Sequence, residues 1–537
     1  MTTALSPAAL RGMLEDDGEL ALVDVREELI YSQGHLLLAR SAPLSRLELK
    51  FAQLVPRRAT RIVLCDGNDG LAQRAAAILS RNGYSDLRIL AGGVAAWAAA
   101  GFELFTGVNV PSKAFGEFIE HDDGTPSIAA DDLARLIDKG ADLVILDSRP
   151  FDEYARVSIP GATNVPGAEL VLRARDLAPS PNTMVVVNCA GRTRSIIGAQ
   201  SLINAGLPNK VVALRNGTMG WNLAGLTCDS GKDRRAPGVS REQLTWARSA
   251  ARRVARACGV ETIDRARLDA LRQDESRTLY VFDVRDPAEY EAGHVAGAIS
   301  APGGQLVQAT DQYIGTLGAR IVLVDDLEVR AAMTGSWLRQ MGFAEVHVLA
   351  EAGSETGWPA KPVLEGETRG EAAIEAEALA ELLARNAATV LDLSPSRNYL
   401  AGHIPGAWFA IRTRLARALE KIAIGDTLVL TSEDGALAAL AVAEAANLID
   451  RPVRCLKGGN AAWQTAGRPF SAEPNMADAK MADEPVDQWR KPYERSGDAK
   501  AAMQEYLTWE VDLLPRIKRD GSLRFERFRP RLAAEVR

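Results

Sequence analysis

The chain has 537 residues, 47% of them hydrophobic and 25% charged, an ordinary globular composition too long for one hydrophobic core. A formal charge of −7 speaks against nucleic acid or an anionic membrane surface as the main partner. No apolar run reaches the ~18 residues of a membrane span, and the start Met1–Pro7 lacks the basic and apolar regions expected of a signal peptide.

In chain order, the first apolar strand ends at Leu22-Val23-Asp24 and is followed by Tyr31 and the turn Gly34-His35. A second, residues 61–64, leads into a loop counted from Cys65, and a third runs into Gly92-Gly93 and Trp97. The same order returns with Asp147, Tyr154, a loop counted from Cys189, Asn216-Gly217 and Trp221. It returns again with Asp283, Tyr290, Gly293-His294, Asp325, Gly353 and Trp358, and finally with Asp392, Tyr399, Gly402-His403, Thr431, Gly458-Gly459 and Trp463. From strand Asp to loop start the spacing is 41, 42, 42 and 39 residues, and from loop start to Trp it is 32, 32, 33 and 32. Agreement of both spacings in four copies marks a repeat.

Continuously apolar strands alternating with helices imply parallel sheets covered on both faces. The expected organisation is four α/β domains at 1–110, 120–230, 263–365 and 370–471, a linker at 231–262 and a C-terminal extension at 472–537. In such sheets ligands bind beyond the carboxyl ends of the strands, which places a site at the second-strand loop. The extension carries Trp489, Tyr506, Leu507, Trp509, Leu513 and Leu514, and its pattern predicts a helix over 498–513 stopped by Pro515. So many aromatic residues call for a partner, either the body of the protein or a surface for self-association. Five cysteines, odd in number and without CxxC spacing, read as free thiols in a reducing compartment, so the expected location is cytoplasmic.

The Asp-x-Arg strand end, the tyrosine, the turn Gly402-His403-Ile404-Pro405-Gly406-Ala407, the loop before a helix and the Gly-Gly…Trp ending together resemble the rhodanese (sulfurtransferase) superfamily over residues 5–470. The resemblance implies a loop cysteine that takes a sulfane sulfur from a donor such as thiosulfate. The persulfide so formed hands the sulfur to a thiophilic acceptor, a thiol or cyanide-like molecule. It also implies a structural ion-pairing role for Arg149, beside Asp147.

Only the second loop offers a full set for that chemistry: Cys189, Ala190, Gly191, Arg192, Thr193 and Arg194, with Ser195 opening the helix. Cysteine reacts as the thiolate, which converging loop N–H groups, a helix N-terminus and two arginines all favour. The same cup suits a small anionic donor, thiosulfate or a persulfide. The first loop keeps a cysteine beside Asp66 and Asp69, which repel both thiolate and anion, so it reads as inactive. The third and fourth loops have no cysteine. Their carboxylates lack nearby histidine, and neither metal nor cofactor is expected. His35, His294 and His403 sit in the structural turn, and Cys455 falls on a core strand. A competing reading is a non-catalytic scaffold of sulfur- or protein-binding modules.

Overall fold

The apolar runs of four or five residues, rich in Val, Ile and Leu, are too short for helices and pair as inner strands. The computed structural model describes residues 3–16, 18–366, 372–473, 479–495 and 497–527. It contains four parallel five-stranded sheets, one for each repeat. Numbering strands within a repeat, the order across each sheet is 1-5-4-2-3, so the chain crosses over helices that cover both faces. Among the described residues no helix is long and apolar enough to cross a membrane.

Strand register corrects the alignment of the loops. Asp24 lies opposite Cys65, Asp147 opposite Asn188, Asp283 opposite Val324 and Asp392 opposite Thr431. Cys65 and Thr431 are therefore the last residues of their strands and correspond to Asn188. The position of Cys189 is held by Asp66, Asp325 and Ser432 in the other copies. A one-residue slip hardly changes a spacing of about 40, but a parallel ladder does not tolerate it, because it would turn the strand inside out.

The recurring residues have repeated structural tasks. Each tyrosine hydroxyl donates to a carbonyl eight residues on, at 2.9, 2.9, 2.8 and 2.8 Å for Tyr31, Tyr154, Tyr290 and Tyr399. His35, His294 and His403 stack on those tyrosines at 3.9–4.0 Å between ring centres. Burial pushes the His35 imidazole down to about 4, so it stays neutral in the core. Trp97, Trp221 and Trp463 donate to the carbonyl six residues on. The third copy lacks that last helix, and Trp358 is 56% exposed against Tyr290.

The segment expected to be a linker is a packed element. Its helix Arg241–Ala257 carries Ala247, Ala250, Ala251 and Val254 at helical spacing, all buried in one core shared by the second and third domains. The domains also pair otherwise: Arg412 of the fourth grips Glu48 of the first at 2.8 and 2.9 Å.

The extension forms a helix, Ala499–Asp520, that runs through Pro515 instead of stopping there. Leu513 and Ile517 enter the first domain's core, while Met503 and Leu507 pack on Met219 of the second. Of the apolar residues that called for a partner, Leu507, Leu513 and Leu514 are buried against their own chain, and Trp489, Tyr506 and Trp509 are half-buried.

Candidate active site around Cys189

The strand Met184–Asn188 delivers Cys189 to the carboxyl edge of the second sheet, and the helix Thr193–Asn204 leaves four residues later. The strand end is anchored. Asn188 donates to Asp147 at 2.9 Å, and Ser148 donates to the Asn188 carbonyl through both its N–H and its hydroxyl, at 2.8 Å each. Arg149 binds Asp147 with two nitrogens, at 2.8 and 2.6 Å, and the Val157 carbonyl at 2.5 Å. It is a structural arginine, as expected.

A second turn clamps the loop from the side. Thr218 N–H donates to the Cys189 carbonyl at 2.9 Å and Met219 N–H to the Ala190 carbonyl at 3.0 Å. Gly217, at φ +53°, comes so close that a Cβ there would lie 2.2 Å from the Cys189 oxygen. Gly191 is equally confined: a Cβ would meet Met219 at 2.9 Å, Glu510 at 3.4 Å and Tyr506 at 3.7 Å.

Cys189 is 2% exposed, and its thiol faces the Ser195 hydroxyl at 3.5 Å. That hydroxyl in turn donates to the Arg192 carbonyl at 2.8 Å. Arg194 has Cys189 among its electrostatic neighbours. Its guanidinium binds Glu153 at 2.8 Å and Gln305 at 3.0 Å. Burial alone would raise the Glu153 carboxyl, but Arg194, helped by Lys491 and Arg149, holds it down to about 2. Arg192 binds Glu117 at 2.6 and 2.8 Å, Asn216 at 3.1 Å, and Glu120. Burial works against both guanidinium charges, and the carboxylates more than offset it.

Neither arginine is the bare charge the loop sequence suggests. A buried guanidinium needs a carboxylate, and each has recruited one.

The roof comes from distant sequence. The C-terminal helix places Glu510, 0% exposed, over the loop, where one oxygen accepts from the Thr193 hydroxyl at 2.6 Å. Its other oxygen has no partner among the described residues. Lys113, on the helix Val110–Asp123, approaches Glu510 at 3.6 Å, with Tyr506 beside it. Burial opposes the Lys113 charge, and Tyr506 and Glu510 restore it. Burial raises the Tyr506 phenol, with Glu510 adding to the effect. Lys113, Glu117, Glu153, Tyr506 and Glu510 escape a sequence reading confined to the loop. The unpartnered aromatics of the extension are the trace they leave there.

The sequence model of the Rhodanese-like domain matches four times, at residues 6–100, 129–224, 264–356 and 375–466. The chain belongs to the rhodanese-like family. It is similar over 98% of its length, at 47% identity and a TM-score of 0.94, to the whole of a crystallised thiosulfate sulfurtransferase from Pseudomonas aeruginosa. Shorter likenesses are to a putative sulfur carrier protein, YrkF, of Bacillus subtilis, 25% identical over 134 residues, 24% of this chain and 71% of that one. Another is to the HTH-type transcriptional regulator Rv0324 of Mycobacterium tuberculosis, 33% identical over 110 residues, or 20% of this chain. That match spans 47% of the regulator's length.

The other rhodanese-like loops fill the cysteine position with something else. In the first domain the Asp66 carboxylate accepts from Asn68 N–H at 2.8 Å and Ala72 N–H at 3.0 Å. In the third, Asp325 accepts from the N–H groups of Leu327, Arg330 and Ala331 at 3.1, 2.7 and 3.2 Å. Arg330, the counterpart of Arg194, also binds Asp325 and the Glu153 counterpart Glu289. In the fourth, Ser432 accepts from Ala438 N–H at 3.3 Å. Each is a side chain at the first loop position bonded to the N–H six residues on.

The remaining thiols are unpaired and disfavour ionisation. Burial, then Asp24, pushes Cys65 well up, and burial takes Cys228 to about 11 and Cys258 to about 12.

Proposed function

We propose that this chain is a sulfurtransferase that carries sulfane sulfur on Cys189, from thiosulfate to a thiol or cyanide-like acceptor. The Cys189 thiolate attacks the outer sulfur of thiosulfate, the S–S bond breaks, and sulfite leaves with the bonding electrons. The persulfide left on Cys189 is anionic and needs a cup for its charge.

The observation that carries this reading is the carboxylate at the Cys189 position in two sister loops. Asp66 and Asp325 are internal anions held by N–H groups two and six residues on, with a third from the fifth residue in the latter case. The matching groups in the second domain are the N–H groups of Gly191, Arg194 and Ser195. They lie at the start of a helix, where the first turn has no internal acceptor and the dipole favours negative charge. Net side-chain charge does not supply the preference, since Lys113, Arg192 and Arg194 face Glu117, Glu120, Glu153 and Glu510. The cup is a backbone device, with Arg194 among the cations around it. Ala190 continues the loop, Arg192 and Thr193 fix it to Glu117 and Glu510, and Ser195 faces the sulfur. Five unpaired thiols suit a reducing compartment, and we place the reaction in the cytoplasm.

The test is incubation of the pure chain with thiosulfate and cyanide, measuring thiocyanate and intact mass. Turnover is expected, with a one-sulfur adduct that disappears in Cys189→Ala. Absence of both turnover and adduct would leave the scaffold reading.

A further inference from the structure

The C-terminal helix brings one hydroxyl to the Cys189 loop, that of Tyr506. Its ring edge covers Gly191, where a Cβ would lie 3.7 Å from it, and Cys189 is among the electrostatic neighbours of the phenol. Two further rings accompany it, Trp489 at 6.2 Å and Trp509 at 5.2 Å between centres. Trp509 packs in turn on Gly107, where a Cβ would come within 2.3 Å of its ring. Lys113 reaches the same point from the helix Val110–Asp123, which lies so near the loop that a Cβ at Gly116 would be 2.9 Å from the Thr193 Cα. Its ammonium has Tyr506, Glu510 and Arg194 as electrostatic neighbours. An ammonium group offers donors only, so the phenol proton turns away from it. Nor does the free Glu510 oxygen take that proton, since it has no partner among the described residues. Burial keeps the phenol in its protonated form, a donor at working pH.

We propose that Tyr506 is a further catalytic residue, whose hydroxyl donates to a sulfonate oxygen of thiosulfate bound over Cys189. The inference rests on the sulfurtransferase reading and adds a residue that favours thiosulfate over other donors. The N–H groups of Gly191, Arg194 and Ser195 serve the sulfur at the Cys189 position, and the sulfonate oxygens need donors from beyond the loop. As the Cys189 thiolate attacks, the S–S bond breaks and its electron pair goes to the sulfite sulfur. Tyr506 holds its proton throughout, so the step moves no proton, and the phenol steadies the charge on the oxygens of the departing sulfite. Lys113 acts through the phenol as a positioning residue, its own charge offset by Glu510 at 3.6 Å. A neutral donor suits a site whose carboxylates already match its cations.

The test compares two sulfur donors on the full-length chain, thiosulfate and inorganic polysulfide, which has no oxygen atoms. Tyr506→Phe keeps the ring and its packing and removes only the hydroxyl. By rapid quench and intact mass, it should lower the ratio of thiosulfate to polysulfide loading rates by about ten-fold or more. A structural role would slow both donors alike and leave that ratio unmoved. Lys113→Met combined with Glu510→Gln, which strands no charge, should lower the ratio in the same direction. An unchanged ratio in Tyr506→Phe overturns the proposal, as does a wild-type chain that polysulfide loads and thiosulfate does not. A wild-type chain loaded by neither donor would refute the sulfurtransferase reading itself, so the two failures are separable.

Discussion

Arg194→Met tests whether the guanidinium beside Cys189 serves chemistry or only packing. Its removal leaves the half-buried Glu153 without its main partner. That carboxyl is held at about 2 against an ordinary 4.5, a gap worth about 3 kcal/mol at neutral pH. The folded value lies below the unfolded one, so this stabilisation is full above about pH 4.5 and fades as pH falls through about 2. Arg194→Met should therefore lose about 3 kcal/mol at pH 7, by urea midpoints, and progressively less toward pH 2. Adding Glu153→Gln removes the stranded charge and should recover most of that loss. Sulfur loading should not recover. A charge-assisted hydrogen bond to an anion is worth about 1.5–3 kcal/mol, or about 10–150-fold in the rate of first-turnover sulfite release. Wild-type loading in the double variant would show that Arg194 is only structural, and a stability loss independent of pH would refute the account of Glu153.

Gly217→Ala should abolish loading and destabilise the second domain: the left-handed backbone alone costs about 1–2 kcal/mol, and the new Cβ meets the Cys189 carbonyl at 2.2 Å. Urea unfolding and the sulfite burst read the two effects. Cys65→Ala should leave one sulfur adduct per chain and a loading rate within two-fold of wild type, by intact mass and stopped-flow, because Cys65 ends a strand opposite Asp24. Glu27, whose oxygens accept from Ser45 and Thr413, is raised by burial to about 7. Its folded value lies above the unfolded one, so its contribution is intact below about pH 4.5 and lost as pH rises through about 7. Glu27→Gln should therefore flatten the decline in urea midpoint between pH 5.5 and 8.5, an effect of about 2 kcal/mol.

The parts of the molecule legible in the sequence are those whose signal is local. Apolar runs that become strands carry their own pattern, and Tyr154 reaches only eight residues to its carbonyl. The four-domain fold and the pairing of Arg149 with Asp147 follow from such short-range regularities. Counting could not resolve the one-residue difference between Cys65 and Asp66, which appears only when a neighbouring strand fixes the register. The stop assigned to Pro515 failed for a similar reason. Proline removes one N–H, leaving the Val511 carbonyl without its helical donor. Val511 is 47% exposed, so water can serve that carbonyl, while Leu514 before the proline and Ile517 after it are buried and hold the last turns in place. The partners of Arg192 and Arg194 were illegible because a sequence displays a charge without displaying what burial obliges it to meet. Glu510 lies more than 300 residues from Thr193, and no local pattern encodes that contact.

The three other domains bear on how the second one works. A cup of N–H groups at a helix start is unfavourable to leave empty when buried, and the first, third and fourth loops settle it permanently with Asp66, Asp325 and Ser432. Their sites are closed by their own side chains. The second loop places a thiol there instead, donating to Ser195 at 3.5 Å, and under the proposed function the cup receives the anionic donor. The loop also has outside support. It receives that from the Gly217 turn, from Glu117 and Glu153 through the two arginines, and from Glu510 on the C-terminal helix. That helix is seated in turn by Leu513 and Ile517 in the first domain. The first domain and the extension thus frame the Cys189 loop and hold it in shape.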